Sequence, residues 1–152
     1  MQIKTILCPV DFSEISTNAM KYAVFLASHH HAELLLLHVI EHLQEFEHYQ
    51  VLVFTPQELA DEMEKQAYEE LNKLTEQIQK TIKVEAVVRQ GKAFVEIIKV
   101  AKEKDMDMIV MGSQGRTGIS HMLMGSVAEK VVRKASCPVL IVRDKNIQFD
   151  IS

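Results

Sequence analysis

Short apolar runs and longer helical stripes alternate along the first third of this chain. Residues 3–10 (IKTILCPV) form a short apolar run, which predicts a strand. Residues 14–30 carry apolar side chains at helical spacing, which predicts an amphipathic helix. Residues 33–40 (ELLLLHVI) are almost wholly apolar, as expected of a strand that is covered on both faces. The pattern therefore predicts a strand, a helix and a second strand in that order.

A long helix is predicted after an irregular segment from Glu41 to Phe54, which the pattern leaves open as a lid, a partner surface or an added strand. Thr55 is placed as the N-cap of the helix, Pro56 as its first residue and Glu58 as the acid of a capping box. The remaining elements are predicted as strands at residues 83–88, 107–111 and 138–142, and as helices at residues 93–102 and near 127–134.

Strands that alternate with helices indicate an α/β fold, with a mainly parallel sheet and helices on both of its faces. Right-handed crossovers restrict the topology to doubly wound arrangements. The chain has 152 residues, no internal repeat and no linker rich in proline, glycine or serine. We therefore predict a single domain that spans residues 1–152.

Composition favours a globular protein of the cytoplasm. The chain is 47% hydrophobic with a net charge of −4, whereas a disordered chain has fewer apolar residues and a larger charge. That mild acidity argues against nucleic acid as a partner, and no apolar run is long enough to cross a membrane. No secretory leader is recognisable. Cys8 and Cys137 lie far apart and outside any zinc-binding spacing, so both are expected to be reduced.

Three consecutive histidines, at residues 29–31, suggest a metal site at first sight. Consecutive residues of a helix point in different directions, however, so these side chains cannot all reach one ion. A polar helix end, where histidine suits the helix dipole, is the predicted role.

Glycine is concentrated in one loop. Four of the five glycines lie between residues 112 and 125, directly after a predicted strand and directly before a predicted helix. In a doubly wound sheet, ligands bind outside the carboxyl ends of the strands, and glycine permits a positive φ and a close approach to the main chain. A helix start also favours an anion such as phosphate. The spacing is that of neither a P-loop nor a dinucleotide fingerprint; it is Gly112-x-x-Gly115, nine residues, then Gly125-Ser126.

With this spacing, the chain resembles the universal stress protein family along essentially its whole length. The resemblance rests on three segments, ILCPVDFSEIS, LLLLHVIE and MIVMGSQGRTGISHMLMGSVAEKVVRKASCPVLIV. Every element of the family's nucleotide-binding pattern is present, so the chain resembles the ATP-binding branch. The resemblance implies a five-stranded parallel sheet in the order 3-2-1-4-5, and ATP as the ligand with Mg or Mn as its metal.

The resemblance also implies which residues form the site. Those that would contact the phosphates and the ribose are Gly112, Gly115, Gly125 and Ser126, with Val127 alongside. Those that would meet the adenine or line its pocket are Pro9, Val10, Val39 and Met111. Asp11 would take the ribose hydroxyls or help to hold the metal. Apart from the resemblance, the charge of Arg116 in the glycine loop makes it a further candidate for a phosphate contact. In the implied order the first and fourth strands are neighbours, so Asp11 and Gly112 are expected to face one crevice.

Several of these residues also have an interpretation without a ligand. Ser126 with Glu129 fits a capping box at the helix start. Asp11 fits a cap of the first helix, or a turn that it closes with Ser13. Arg116 fits a solvated position in the loop.

Three functions remain open on this basis. The first is a cytoplasmic ATP-binding stress or regulatory protein, whose nucleotide controls its conformation or its choice of an unidentified protein partner. The second is an enzyme that hydrolyses ATP slowly or with the help of a partner, because apart from Arg116 and a metal at Asp11 the loop offers no group for the reaction. The third is a nucleotide-free dimeric scaffold, against which the intact glycine pattern argues.

The last strand is expected to carry the interface of a homodimer. In the order 3-2-1-4-5 it is an edge strand, from Pro138 to Val142, and four successive apolar residues follow its proline. An uncharged edge leaves backbone groups open to another chain, and the resemblance implies that two copies pair these strands antiparallel. The alternative is that the tail covers the edge with Phe149 and Ile151.

Overall fold

The computed structural model describes residues 1–41, 55–115 and 124–144, and within them strands and helices alternate in the predicted order. The elements are β1 (Thr5–Pro9), α1 (Glu14–His30), β2 (Glu33–Ile40), α2 (Pro56–Ile78), β3 (Val84–Gln90), α3 (Ala93–Glu103), β4 (Met108–Gly112), α4 (Ser126–Lys134) and β5 (Val139–Val142). The predictions about residues 42–54, about Arg116 and about the tail after residue 144 lie outside the described residues.

The five strands form one parallel sheet in the order β3-β2-β1-β4-β5, which confirms the predicted fold. β1 lies at the centre and pairs with β2 on one side and with β4 on the other. The chain therefore leaves β1 toward one edge of the sheet and later returns to build toward the other edge. This reversal of strand order beside β1 is where a doubly wound sheet places its ligand site.

Alternate side chains of the sheet pack against two separate layers of helices. Ile6 and Cys8 of β1 belong to a cluster that includes residues of α1 and α2. Leu7 of β1 and Ile109 of β4 belong to a second cluster, which includes residues of α3 and α4. Successive strand residues point to opposite faces, and both faces are covered. That coverage explains why the central strands are apolar at nearly every position.

The start of α2 confirms a prediction made from local sequence. Thr55 Oγ1 accepts a hydrogen bond from Glu58 N at 3.2 Å, and a carboxylate oxygen of Glu58 accepts one from Thr55 N at 2.8 Å. Pro56 is the first residue of the helix. All the groups involved lie within one turn of the helix, so the local sequence alone is enough to predict where α2 begins.

β1 begins later than predicted, at Thr5 rather than at residue 3. The backbone N–H groups of Lys4 and Thr5 donate to the carboxylate of Asp107 at 2.8 and 3.0 Å. The bond from Lys4, followed by those from Thr5, holds the pKa of the Asp107 carboxyl below its usual range. Asp107 precedes β4, which begins at Met108. A side chain 103 positions along the sequence thus closes this end of β1, and no local pattern reveals it.

Cys8 and the histidine run occupy the structural positions expected of them. Cys8 is fully buried, and burial raises the pKa of its thiol to about 12, so the reactive thiolate is absent at neutral pH. His31 ends α1 in the left-handed conformation with φ 54°. Among the described residues, no group of three His, Cys, Asp or Glu side chains is placed to hold a metal. The helices of this part of the chain include none that is long and apolar enough to cross a membrane.

Candidate functional site

The carboxyl ends of β1 and β4 lie side by side, and this is where the strand order predicts the ligand crevice. Asp11 follows β1, and Gly112 is the last residue of β4. A Cβ atom built on Gly115 would lie 2.8 Å from Asp11 Oδ2. The structure therefore brings the Asp11 carboxylate against the glycine loop, as expected from the strand order.

Gly112 has a packing role. A Cβ atom at this position would lie 2.7 Å from Ile15 Cγ2, which is closer than real side chains approach. The absence of a side chain therefore lets the first turn of α1 rest on the end of β4. This contact holds the start of α1, and with it the turn that carries Asp11, beside the glycine loop.

Gly115 and Gly125 allow close approaches on two sides of the loop. At Gly115 the neighbour of a Cβ atom would be the Asp11 carboxylate, whereas at Gly125 it would be Ser113 O at 3.2 Å and Gln114 Cα at 3.3 Å. Neither glycine has a positive φ, so that expected reason for glycine is wrong at both positions, whereas the close approach of a ligand stays a prediction. Close contacts, rather than backbone conformation, therefore favour glycine at these two positions.

Backbone hydrogen bonds fasten the two described ends of the loop together. Gly125 N donates to Ser113 O at 2.6 Å, and Ser113 N donates to Val142 O, at the end of β5, at 2.9 Å. Ser113 and Gln114 are both buried although they are polar. The two ends of the loop, at Ser113 and Gly125, therefore lie next to each other beside the crevice, and their hydrogen bond holds the start of α4 there.

α4 begins without the capping box that its sequence suggests. Its N-cap is Gly125, so Ser126 is the first helical residue rather than the cap. Glu129 pairs with Arg133 at 2.8 Å, one turn further along. The capping-box interpretation of Ser126 with Glu129 is therefore wrong. The N-cap glycine has no side chain to accept from the backbone N–H groups of the first turn, and these groups carry the positive end of the helix dipole.

Asp11 closes a turn and does not cap α1. Asp11 Oδ1 accepts hydrogen bonds from Ser13 N at 3.0 Å and from Ser13 Oγ. Ser13 is the N-cap of α1, and its Oγ accepts a bond from Ser16 N at 3.2 Å. The interpretation of Asp11 as a turn residue is confirmed, and its interpretation as the helix cap is wrong.

His38 of β2 ties the end of β1 in place, a role that the sequence pattern does not indicate. Its Nδ1 donates to Val10 O at 2.7 Å, and its ring packs against Phe12 with the ring centroids 4.7 Å apart. The two bonded residues are 28 positions apart. Only the place of His38 near the carboxyl end of a central strand could have drawn attention to it.

The apolar residues predicted to surround the nucleotide lie on both sides of the sheet. Val39, Met111 and Val127 pack with the α3–α4 cluster. Val10 is buried in the α1–α2 cluster, and Pro9 is the partly buried last residue of β1. Val39, Met111 and Val127 thus share one apolar layer next to the crevice. The contacts of all five residues with a ligand stay predictions.

A separate groove of about 290 Å³ lies at the opposite end of the strands. Its lining residues are Thr5, Glu33, Leu34, Leu35, Lys83, Glu85, Lys104 and Met106. The rim includes an ion pair between Lys83 Nζ and Glu33 Oε1, which lie 2.8 Å apart. Doubly wound sheets bind ligands at the carboxyl ends of their strands. We therefore assign the candidate site to the crevice between β1 and β4, not to this groove.

Comparisons with known proteins agree on one family. A model described as the Universal stress protein family matches residues 2–143. Universal stress protein MJ0577 of Methanocaldococcus jannaschii is 33% identical to this chain, with 94% of this chain and 96% of that protein covered. Universal stress protein YxiE of Bacillus subtilis is 36% identical, with 90% and 97% covered.

Solved structures show the same similarity in three dimensions. A structure of MJ0577 superposes with a TM-score of 0.84 at 32% identity and covers 96% of this chain and 99% of its own. A universal stress protein family protein from Arabidopsis thaliana, solved with AMP bound, has a TM-score of 0.62 at 19% identity, with 94% and 93% covered. At that identity the second similarity shows the fold alone.

Proposed function

We propose that this chain, which belongs to the universal stress protein family, is an ATP-binding regulatory protein. The bound nucleotide sets the conformation of the protein or its choice of protein partner. The observation that carries the proposal is the approach of Asp11 to Gly115 across the crevice, where a Cβ atom would lie 2.8 Å from Asp11 Oδ2. An acceptor for ribose hydroxyls thus lies against the glycine loop, at the switch point where a doubly wound sheet binds its ligand. We further propose that residues 1–152 form one nucleotide-binding domain.

Each part of ATP has a matching group in this crevice. The first N–H groups of α4, at Ser126 and Val127, offer uncapped donors and a positive dipole end to a phosphate. Arg116 remains the further phosphate contact predicted from the sequence. Val39 and Met111 supply apolar surface for the adenine. An adenine nucleotide is the ligand class that we propose, and the Arabidopsis thaliana protein shows that this fold can hold AMP.

The described residues around Asp11 do not form a metal cage. No group of three His, Cys, Asp or Glu side chains is found among them. Mg²⁺ commonly binds through substrate phosphates with one or two carboxylates. A Mg or Mn ion would therefore be held mainly by the phosphates of ATP, with Asp11 as the only predicted protein ligand. Ribose recognition is the role that we propose for Asp11.

Two further parts of the proposal concern assembly and location. We propose that two copies pair through the edge strand β5, which presents Leu140 at 37% exposure, and that a separate protein partner reads the nucleotide state. We also propose a cytoplasmic location, because Cys8 and Cys137 are both free thiols, as expected of a reducing compartment.

The protein as purified tests the function directly. The purified protein should show an absorbance shoulder near 260 nm from bound nucleotide. Mass spectrometry of the ligand released by heat should then identify it as an adenine nucleotide. If the protein emerges empty, isothermal titration with ATP should still show binding. Incubation of the ATP-loaded form with Mg²⁺ should leave ATP largely intact, whereas rapid release of ADP would establish the hydrolase instead. A protein that neither carries nor binds nucleotide would leave the scaffold as the remaining function.

Asp11→Ala is expected to weaken ATP binding at least tenfold, because hydrogen bonds to a charged group contribute about 1.5–3 kcal/mol. The ligand-free protein should lose about 1 kcal/mol of unfolding free energy as the turn to Ser13 is released. Calorimetric titration measures the first effect and thermal unfolding without ATP the second.

Asp107→Ala is the matched control for Asp11→Ala. Asp107 also accepts hydrogen bonds from backbone N–H groups, but it does so at the opposite end of β1. Its loss should lower the stability of the ligand-free protein and leave ATP affinity unchanged. If Asp11→Ala behaves in the same way as this control, Asp11 has only a structural role.

A further inference from the structure

The turn that carries Asp11 is held by two serine hydroxyl groups. The Ser13 hydroxyl donates to Asp11 Oδ1 and accepts from Ser16 N at 3.2 Å. The hydroxyl of Ser16, a residue only 5% exposed, accepts from Asp11 N at 3.0 Å. Both the backbone and the carboxylate of Asp11 are therefore fixed by the first turn of α1.

This arrangement distinguishes the two oxygens of the Asp11 carboxylate. Oδ1 accepts two hydrogen bonds from Ser13, one from its backbone N–H and one from its hydroxyl. Oδ2 is the atom directed toward Gly115, since it lies 2.8 Å from the position of a Cβ atom there, compared with 4.0 Å for the carboxyl carbon. Rotation of the carboxylate out of this orientation would break the bonds to Ser13. Ser13 therefore determines where Oδ2 points.

The backbone between Asp11 and Ser13 is also strained. Phe12 has φ 65°, a left-handed conformation that a bulky residue rarely adopts. Its ring packs against His38 at 4.7 Å, and His38 in turn bonds to Val10 O at 2.7 Å. Strain of this kind persists only where the surroundings impose it, and it concentrates at ligand sites. The conformation of the turn is thus imposed from β2 as well as from α1.

We propose that Ser13 is a positioning residue for ribose recognition. Its hydroxyl holds Asp11 Oδ1, so that Oδ2 meets the ribose hydroxyls of a nucleotide in the crevice. Ser13 does not itself touch the nucleotide; it acts through Asp11. This inference rests on the proposed function and adds to it the group that sets the orientation of Asp11.

The test compares ATP with 2′,3′-dideoxy-ATP, which lacks both ribose hydroxyls. By calorimetric titration, the wild type should prefer ATP about tenfold, as expected for hydrogen bonds to a carboxylate. Ser13→Ala should reduce this preference to about threefold or less, because a misdirected carboxylate loses most of that hydrogen-bond energy. ATP affinity should fall, whereas affinity for the dideoxy nucleotide should stay unchanged. Ser13→Thr retains a hydroxyl and should preserve the wild-type preference.

Two further variants separate positioning from helix capping. Ser13→Gly removes the hydroxyl at little cost to an N-cap, so it should remain folded and still lose the preference. Thr55→Ala removes the cap of a different helix, α2, and should lower stability while it keeps the preference. An unchanged ratio of affinities in Ser13→Gly overturns the inference while the proposed function stands. A wild type that binds both nucleotides equally overturns the ribose role of Asp11 and the inference with it, and a wild type that binds neither overturns the proposed function as well.

Discussion

Gly125→Val is expected to abolish ATP binding, with a loss of affinity of about a hundredfold or more as several hydrogen bonds to the nucleotide are lost together. A Cβ atom at this position would lie 3.2 Å from Ser113 O and 3.3 Å from Gln114 Cα, and the valine methyl groups would extend beyond it. These neighbours are backbone atoms, so the loop has to move as a unit. Gly125 N also donates to Ser113 O at 2.6 Å, so the movement displaces the start of α4 as well.

Gly115→Val is expected to have the same effect from the other side of the crevice. Its Cβ atom would lie 2.8 Å from Asp11 Oδ2, so the valine must push the carboxylate away from the loop. Neither valine removes a core contact, and the sheet should remain intact. Gly112→Ala should behave differently, because its Cβ atom would meet Ile15 Cγ2 at 2.7 Å and disturb the packing of α1. We expect Gly112→Ala to lower the stability of the ligand-free protein first.

Calorimetric titration with ATP and thermal unfolding without it measure these effects. Gly125→Ser is the matched control for helix capping, because serine is a favourable N-cap residue but still carries a Cβ atom. It should be more stable than Gly125→Val and still bind ATP more weakly than the wild type does. Wild-type affinity in either valine variant would show that the nucleotide site lies elsewhere.

The fold was predictable because most of its information is local. The alternation of apolar runs and helical stripes indicates the α/β class, and the capping box of Thr55 with Glu58 lies within one turn of helix. The strand order came from the family resemblance, since periodicity does not determine which strands pair. The start of β1 was wrong by two residues because Asp107, 103 positions from Lys4, fixes that end of the strand.

The sequence predicted which residues of the candidate site lie next to one another. Asp11 and Gly115 face each other because the carboxyl ends of β1 and β4 are adjacent, and this follows from the strand order. The structural roles of individual residues at the candidate site could not be predicted as well from the sequence. Nothing in the sequence tells a serine at an N-cap from one in the first helical position, and so the alternative interpretation of Ser126 as a capping residue was wrong. The contact of His38 with Val10 depends on how two strands lie side by side.

The second large effect is expected at β5, where Ile141→Pro should convert a homodimer into monomers. β5 is an edge of the sheet, and β4 is its only neighbour among the described strands. All four of its residues are apolar, and Leu140 is 37% exposed. Such an edge offers unpaired N–H and C=O groups to a second copy. Pairing about a two-fold axis is the commonest symmetric contact between identical chains.

Alternate residues of β5 direct their backbone groups to opposite sides. The carbonyl oxygens of Pro138 and Val142 accept hydrogen bonds at 2.9 Å from N–H groups of β4 and of the residue after it. Leu140 lies midway between them and has the same orientation, so its backbone groups face β4 as well. The N–H group of Ile141 therefore points to the open edge.

Proline should consequently have different effects at these two neighbouring positions. Ile141→Pro removes a donor from the open edge and leaves the bonds to β4 in place, so we expect a folded monomer. Leu140→Pro removes a donor that β4 uses, so we expect the fold itself to be destabilised. Ile141→Ala keeps the N–H group and should remain dimeric, which separates the backbone donor from the side chain.

Sedimentation at micromolar concentration, with circular dichroism to confirm the fold, decides among these outcomes. The wild type and Ile141→Ala should sediment as dimers and Ile141→Pro as a monomer with an unchanged spectrum. A wild-type monomer would exclude the dimer at this concentration and favour the alternative in which Phe149 and Ile151 of the tail cover the edge. A dimer that survives Ile141→Pro would place the interface on another surface, since the antiparallel ladder at β5 needs the donor that proline lacks.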